Sequence, residues 1–343
     1  MTMNSGRVCI ADKVKIGHLT VSPPLFQAPM AGFTNFAFRQ IVRSFGGCGL
    51  PITEMVSARG FLEIDRRGEG YPERLWGVRQ EPRPLAVQIW DNDPGQMAEV
   101  ARRLVDEFAV STIDINFGCP AKQIAGNVSC GSYLLRFPER IEQIVRRIVE
   151  TVRPVPVTAK IRLGVDRKNI TACEVAQAVE EAGGSALAVH GRTAAQMYRG
   201  RADWEAISAV KPYLRRIPLI GNGDLSTPEQ IVDALRTYDV DGVMIGRASL
   251  SRPWIFRQAA ALLAGQSPPP APSLAEQRDL ILAHHRMLME RFGPRRGTVL
   301  MRKFACRYAH GKPGAKRFRI EAGSAISPEE FVHVVKRHFS HDA

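Results

Sequence analysis

From Leu25 to Met244 the hydrophobic pattern repeats one theme: a short apolar run, a turn of Gly, Pro or Asn, then a segment with apolar positions at helical spacing. This alternation predicts a parallel α/β fold. The apolar runs are LFQAP (25–29), LPITE (50–54), LAVQIW (85–90), TIDIN (112–116), VPVTAKIR (155–162), ALAVHG (186–191), IPLIGN (217–222) and GVMIG (242–246). Segments such as PGQMAEVARRLVDEF and PERIEQIVRRIVETV lie between them, each opened by a proline whose missing N–H costs nothing in a first helical turn. Eight such units over about 230 residues suit a closed (β/α)8 TIM barrel. An open doubly wound sheet is the alternative, but no GxGxxG turn follows the first run.

After Trp254 a helical segment runs into GQSPPPAPS (265–273), whose prolines cannot continue it and whose composition reads as a semi-rigid linker. Residues 1–264 are therefore expected to form the barrel domain and 274–343 a small all-helical domain. LAEQRDLILAHHRMLMERF and SPEEFVHVVKRHF have helical periodicity, the second behind a serine cap.

Charge sharpens this division. The chain has a net charge of +13, and residues 274–343 hold fourteen Lys/Arg against seven Asp/Glu, concentrated at RKFACRYAHGKPGAKRFR. A domain this basic attracts polyanions through counterion release, which makes nucleic acid the first partner to consider. Phe304, Tyr308 and Phe318 interleave with these cations; they either stack on bases or are core aromatics beneath a solvated face. The six cysteines form no paired framework, the N-terminus MTMNSGRVCIADKVK lacks the apolar run of a secretory signal, and no stretch approaches a membrane span. A cytoplasmic protein with reduced thiols and no membrane partner is expected.

A TIM barrel assembles its site from residues just beyond each strand. Here those are Pro29 and Met30, Glu54, Gln88, Asn116 and Cys119, Lys160 and Arg162, His190 and Arg192, Asn222 with Gly223 and Asp224, and Gly246 with Arg247. Loops after the seventh and eighth strands commonly bind phosphate, and GNGD and IGRAS supply glycines for close approach and Arg247 for charge. Two tight turns are the plainer alternative. Lys160 ends an otherwise apolar strand, where its ammonium requires a partner: a local carboxylate, or an anionic ligand such as a reduced flavin. His190 suits cofactor contact better than proton transfer. No CxxC or HxxxH spacing supports zinc, His284 and His285 point to different sides of a helix, Cys306 and His310 are a weak metal signal, and no GxSxG elbow supports a serine hydrolase. Cys119, in DINFGCPAKQ, lacks metal partners and a nearby activating base.

The chain resembles the flavin-dependent tRNA-dihydrouridine synthases, and among them the bacterial class B. The matching segments are APMAGFTNFAFR, TEMVSARG, VQIWDNDP, DINFGCPAKQI, KIRLG, VHGRTAAQMYRGRADW, PLIGNGDL, DGVMIGRASLSRPWIF and RKFACRYAHGKPGAK, in the family's order over nearly the whole chain. NFGCP and HGRT followed by ADW are specific in combination. The resemblance implies an FMN-containing barrel with a helical tRNA-binding domain, reducing the C5–C6 double bond of selected uridines in tRNA with NADPH as electron donor. By motif position Pro29, Met30, Ala31, Gln88, Lys160, His190, Asn222, Gly223, Asp224, Gly246 and Arg247 would contact FMN. Asn116, Arg162 and Arg192 would face the flipped uracil, and Cys119 would be the proton donor.

Hydride delivery to uracil C6 leaves a carbanion at C5 that needs a fixed acid. A thiol, with an ordinary pKa of roughly 8.5, keeps its proton at neutral pH where a carboxylate has lost one. A buried target base must leave its stack to be reduced, which calls for a deep pocket with a basic rim. The chain departs from the family at AGNVSCGSYLL, which places Cys130 eleven residues beyond Cys119; a small buried residue is the plain interpretation and a reversible disulfide with Cys119 the other. A small-molecule dihydropyrimidine or dihydroorotate oxidoreductase on the same barrel is the competing function, and a non-catalytic RNA-binding barrel a third; the basic helical segment argues against the former and the set Cys119, Lys160, His190 against the latter. A monomer without metal is expected.

Overall fold

The computed structural model describes residues 12–340, so Cys9 and the N-terminal residues 1–11 considered above for a secretory signal lie outside the described residues. Eight parallel strands form the barrel: β1 Leu25–Gln27, β2 Leu50–Pro51, β3 Ala86–Trp90, β4 Thr112–Asn116, β5 Val157–Arg162, β6 Ala186–His190, β7 Leu219–Asn222 and β8 Gly242–Ile245. Neighbours pair in parallel from β1 to β2 and from β3 to β8, and β8 returns to β1. The ring closes at its second member, which is broken. Pro51 has no N–H for the ladder, Ile52 bridges to Ala86, and Val56–Ser57 resumes pairing with Ile89 and Trp90.

The helices are α1 Phe36–Phe45, α2 Ala58–Arg66, α3 Pro94–Phe108, α4 Pro138–Val152, α5 Ala172–Glu181, α6 Trp204–Ser208, α7 Pro228–Thr237, α8 Arg247–Ser251, α9 Ile255–Leu263, α10 Leu274–Phe292, α11 Pro294–Tyr308, α12 Ala315–Ser324 and α13 Pro328–His338. Local chemistry sets their starts: Pro occupies the first turn of α3 and α7, and the Asp93 and Thr227 side chains accept the free N–H groups of Gln96 and Gln230. Alternation sorts the strand residues. Outward-facing Ile113, Ile115, Val157, Ala159, Ile161, Leu187 and Val189 pack under α3, α4 and α5. Inside, Phe26, Ile52, Ala86, Ala188, Ile220 and Met244 fill the lower barrel, and an antiparallel hairpin, Val14–Ile16 with Leu19–Val21, plugs its base. Its strands of three residues are too short to show a period in the sequence.

α10 to α13 share one apolar cluster with α1, α7 and α9. Phe304 stacks on Phe38 with centroids 5.8 Å apart and meets the edge of Phe33 at 5.5 Å. Phe304, Tyr308 and Phe318 are 0%, 3% and 2% exposed, which corrects the base-stacking expectation: helical spacing turns these rings into the core and only the cations outward. The proline-rich segment is tacked down, with Gln258 Nε2 donating to the Pro269 carbonyl at 2.9 Å and Gln277 Nε2 to that of Pro272 at 2.6 Å. His284 and His285 are buried and bonded, to Tyr308 at 3.0 Å and Thr298 at 2.8 Å. No described helix is long and apolar enough to cross a membrane, and among the described residues no three His, Cys, Asp or Glu side chains gather as metal ligands.

Candidate active site

Above the apolar floor the inner face of the barrel turns polar. Gln88, Asp114, Asn116, Thr158, Lys160, Arg162 and His190 come from alternate positions of β3 to β6, so the pleat that sends isoleucines and valines outward sends these inward. Asp114 lies at their centre, fully buried, accepting from Gln88 Nε2 at 2.7 Å and Thr158 Oγ1 at 2.6 Å. Gln88 Oε1 in turn accepts from Asn116 Nδ2 at 2.9 Å. Burial pushes the Asp114 carboxyl up to about 6, against the pull of its two hydrogen bonds and of Lys160.

The other end of Asn116 holds the cysteine loop. Its Oδ1 accepts the N–H groups of Gly118 at 3.1 Å and Cys119 at 2.9 Å, while Arg162 Nε donates to the Gly118 carbonyl at 2.9 Å and Ser132 N–H to that of Cys119 at 3.0 Å. Gly131 closes the loop at φ +57°, and a Cβ there would lie 2.7 Å from the Cys119 carbonyl oxygen, so this approach requires glycine. Cys119 and Cys130 are separate free thiols. Cys130 is buried, its Sγ–H donating to the Val128 carbonyl, and burial pushes its pKa up to about 12. It packs with Met55, Ile124 and Cys119 as a small apolar residue.

Of the two partners considered for Lys160, a local carboxylate makes no direct bond to it, although Asp114 lies within electrostatic reach. Both Asp114 oxygens are taken by Gln88 and Thr158, and among the described residues the ammonium has neither a hydrogen bond nor an ion pair. Burial, with Arg162 adding to it, lowers its pKa to about 8. Arg162 spends Nε and NH1 on the carbonyls of Gly118, Thr193 and Met197, and among the described residues its NH2 has no hydrogen-bond partner. His190 is buried beneath these groups. Burial, together with the charges of Lys160, Arg162, Arg192 and Arg247, pulls its pKa far down, so the ring is a neutral hydrogen-bonding group.

Arg192 and Asp224 form a bidentate pair at 3.0 and 2.6 Å, and the remaining Arg192 donors go to the carbonyls of Arg199 and Gly200 at 3.1 and 2.6 Å and, from NH1, to Nε2 of the neutral His190 ring at 3.3 Å. Placed at the base by the sequence motif, Arg192 is wholly employed within the protein and pins the loop after β6 to the loop after β7. Asp224 also accepts Ala202 N–H at 2.8 Å and Arg247 NH2 at 2.9 Å. Its burial acts to raise the pKa, but these bonds and charges outweigh it and hold the carboxyl low. Asn222 Nδ2 donates to the Met244 carbonyl at 2.7 Å. Gly223 has φ +140° and a Cβ there would fall 2.4 Å from Ala202 Cβ and 3.3 Å from the His190 ring. Across the mouth, a Cβ on Gly246 would lie 3.8 Å from Met30 Sδ, which brings the Pro29–Met30–Ala31 turn beside the loop after β8. The N–H groups of Gly223, Asp224, Gly246 and Arg247 find no acceptor among the described residues. Glu54 is occupied with Gly32 N–H.

Asp114, Thr158 and Tyr198 were missed by inspecting strand ends alone. The signal was present for the first two, since TIDIN and VTAKIR carry their polar residues at alternate positions. Tyr198 is 58% exposed, with Arg247 at 4.9 Å and Arg162 at 5.7 Å from its ring centroid. Asp114 also yields a pH test. Its folded pKa is raised from 3.8 to about 6, so the unfolded chain loses this proton first and stability falls as pH rises across that window. Asp114→Asn should remove a decline on the order of 3 kcal/mol at most between these limits, measured by urea unfolding of the purified protein. An unchanged pH slope in the variant would show that Asp114 titrates normally.

A model of the dihydrouridine synthase family (Dus) matches residues 26–343. The tRNA-dihydrouridine synthase B of Xanthomonas campestris pv. campestris is 38% identical over 335 residues, 95% of this chain and 96% of that one. The Pseudomonas putida protein of the same name is 40% identical over 307 residues, covering 89% and 88%. The probable tRNA-dihydrouridine synthase of Rickettsia conorii is 34% identical over 306 residues, covering 89% and 90%. Among solved structures, morphinone reductase in complex with tetrahydroNAD has a TM-score of 0.51 at 12% identity, over 75% of this chain and 92% of that one. A variant of NCR from Zymomonas mobilis has 0.54 at 15%, over 77% and 93%. These two show the barrel fold alone. With the family's motifs gathered around one barrel mouth and its model spanning the chain from Phe26 onward, the protein belongs to the dihydrouridine synthase family of oxidoreductases.

Proposed function

We propose that this enzyme reduces the C5–C6 double bond of specific uridines in tRNA, as a cytoplasmic monomer that uses FMN and is recharged by NADPH. The Lys160 ammonium at the barrel mouth, with no hydrogen bond or ion pair among the described residues and within electrostatic reach of Asp114 and Cys119, carries this proposal. Burial of the ammonium outweighs the attraction of the nearby Asp114 carboxylate, which is engaged by Gln88 and Thr158, and an anionic cofactor would offset that cost. The four free N–H groups of Gly223, Asp224, Gly246 and Arg247 suit a phosphate, with Arg247 adding charge. Met30, Gln88, His190 and Asn222 would complete the cofactor's surroundings, with Pro29 and Ala31 shaping the turn. Bound FMN would supply the hydride for uracil C6.

The protein's own contribution is the proton. The Cys119 thiol would protonate C5 and recover its proton from solvent. Asn116 serves chiefly by fixing the Cys119 loop, whereas Arg162, through its free NH2, can face a uracil carbonyl. Residues 265–273 would link the barrel to a tRNA-gripping helical domain over 274–343, where the cations of α11 and α12 face outward while the aromatic rings face in. Mapping dihydrouridine in tRNA from a strain lacking the gene, with and without a plasmid copy, tests this function. Defined uridines should stay unreduced in the deletion and recover with the plasmid. An unchanged dihydrouridine pattern would refute it.

A further inference from the structure

A second cavity lies just outside the mouth. It has a volume of about 610 Å³ and is lined by Asp166, Arg167, Lys168, Thr193, Gln196 and Arg199, among others. One wall is a hairpin, Gly164–Asp166 with Asn169–Ile170; the other is the loop after β6. The two are stitched together by Ala194 N–H to the Gly164 carbonyl at 2.9 Å and Ala195 N–H to that of Val165 at 2.8 Å. The loop has two faces. Toward the mouth, Arg162 holds its Thr193 and Met197 carbonyls and Tyr198 looks at His190, with ring centroids 6.4 Å apart. Exposed Met197 and Tyr198 thus form an apolar ridge between mouth and groove.

The groove is cationic and largely unspent. Among the described residues the Arg167 and Lys168 side chains have no hydrogen bond or ion pair, and Arg199 makes a single bond, to the Ala195 carbonyl. Asp166, the one carboxylate, is occupied by the N–H groups of Lys168 and Asn169 and by the Asn169 amide. A cavity of this volume accepts a nucleoside with its phosphates. Its position separates it from the helical region. The loops after β5 and β6 lie across the ring from β1, whereas α10 and α11 pack against α1 and α8, beside β1 and β8.

We propose that this groove binds the phosphate-bearing adenosine half of the nicotinamide dinucleotide, laid across the Met197–Tyr198 ridge so that the nicotinamide reaches the mouth. The idea rests on the function proposed above, in which NADPH recharges FMN at the barrel mouth, and it has uracil and nicotinamide use that mouth in turn. RNA would then approach from the side of the helices and the reductant from the opposite rim.

The test uses the FMN-loaded protein and its double variant Arg167→Gln/Lys168→Gln, with Arg199→Gln as a second probe; the first two positions lie in an exposed turn. Calorimetric titration with NADP+ and the NADPH dependence of flavin reduction without tRNA are measured beside the KM for tRNA. The expected result is at least tenfold weaker NADP+ binding and an equal rise in the NADPH requirement, with the tRNA KM within twofold of wild type. NADP+ binding within twofold of wild type in both variants would overturn the proposal, and a raised tRNA KM in its place would make the groove an RNA surface. A wild-type flavin that NADPH does not reduce would overturn the function beneath it as well.

Discussion

Replacing Cys119 by alanine is expected to lower single-turnover reduction of tRNA uridines by about 10² to 10⁴ fold, the usual worth of a positioned general acid. FMN should remain bound and NADPH should still reduce it. The loop geometry gives the reason for that separation. The backbone of Cys119 is held by Asn116 and Ser132 and that of Gly118 before it by Arg162, so the side chain can be truncated without releasing the loop. Serine should not rescue, because a hydroxyl parts with its proton far less readily than a thiol. Rapid mixing of pre-reduced enzyme with unmodified tRNA measures the step. Wild-type rates in Cys119→Ala would remove the thiol from the chemistry and leave C5 to be protonated by water.

Lys160→Met is expected to weaken FMN binding by about 100-fold, in the range for losing a charge-assisted hydrogen bond in a desolvated site. The same change should stabilise the flavin-free protein, because the cost of taking this cation out of water exceeds what the nearby Asp114 carboxylate returns. The pH dependence separates this from a packing effect. The folded pKa is depressed from 10.5 to about 8, so the unfolded chain binds more protons between those values and wild-type stability rises with pH across them. Allowing for the partial exposure of Lys160, the rise is on the order of 2 kcal/mol. Lys160→Met should lack it. Equal FMN affinity in variant and wild type would assign Lys160 to the barrel interior and not to the cofactor.

Much of the fold was legible because barrel strands obey a simple period. TIDIN and VTAKIR each send apolar residues outward and polar ones inward, and the register of the two adjacent strands then sets Asp114 beside Thr158 and Asn116 beside Lys160. Asp114 escaped notice because attention to strand ends passes over a carboxylate in mid-strand. The basic helix followed the same logic. Met301, Phe304, Ala305 and Tyr308 recur at helical spacing and are all buried, so periodicity already favoured a core role for the aromatics.

Other features had no local signal. Arg192 and Asp224 are far apart in sequence and meet only because β6 and β7 are neighbours, so the motif that carries Arg192 suggests a ligand contact where the structure has an internal clamp. The break at Pro51 and the hairpin that plugs the barrel were likewise invisible, the first because it depends on register and the second because its strands are too short to show a period. The groove beyond Tyr198 arises from a hairpin and a loop that come together in space.

The most direct test of the proposed activity is stoichiometric. FMN-loaded enzyme is reduced anaerobically, freed of excess NADPH, and mixed in parallel with unmodified tRNA, free uridine and dihydroorotate's oxidised partner, orotate. The account predicts reoxidation of the flavin by tRNA, one dihydrouridine formed per flavin oxidised, and at most slow reaction with the small molecules. Flavin that stays reduced with tRNA but is rapidly oxidised by a free pyrimidine would contradict it.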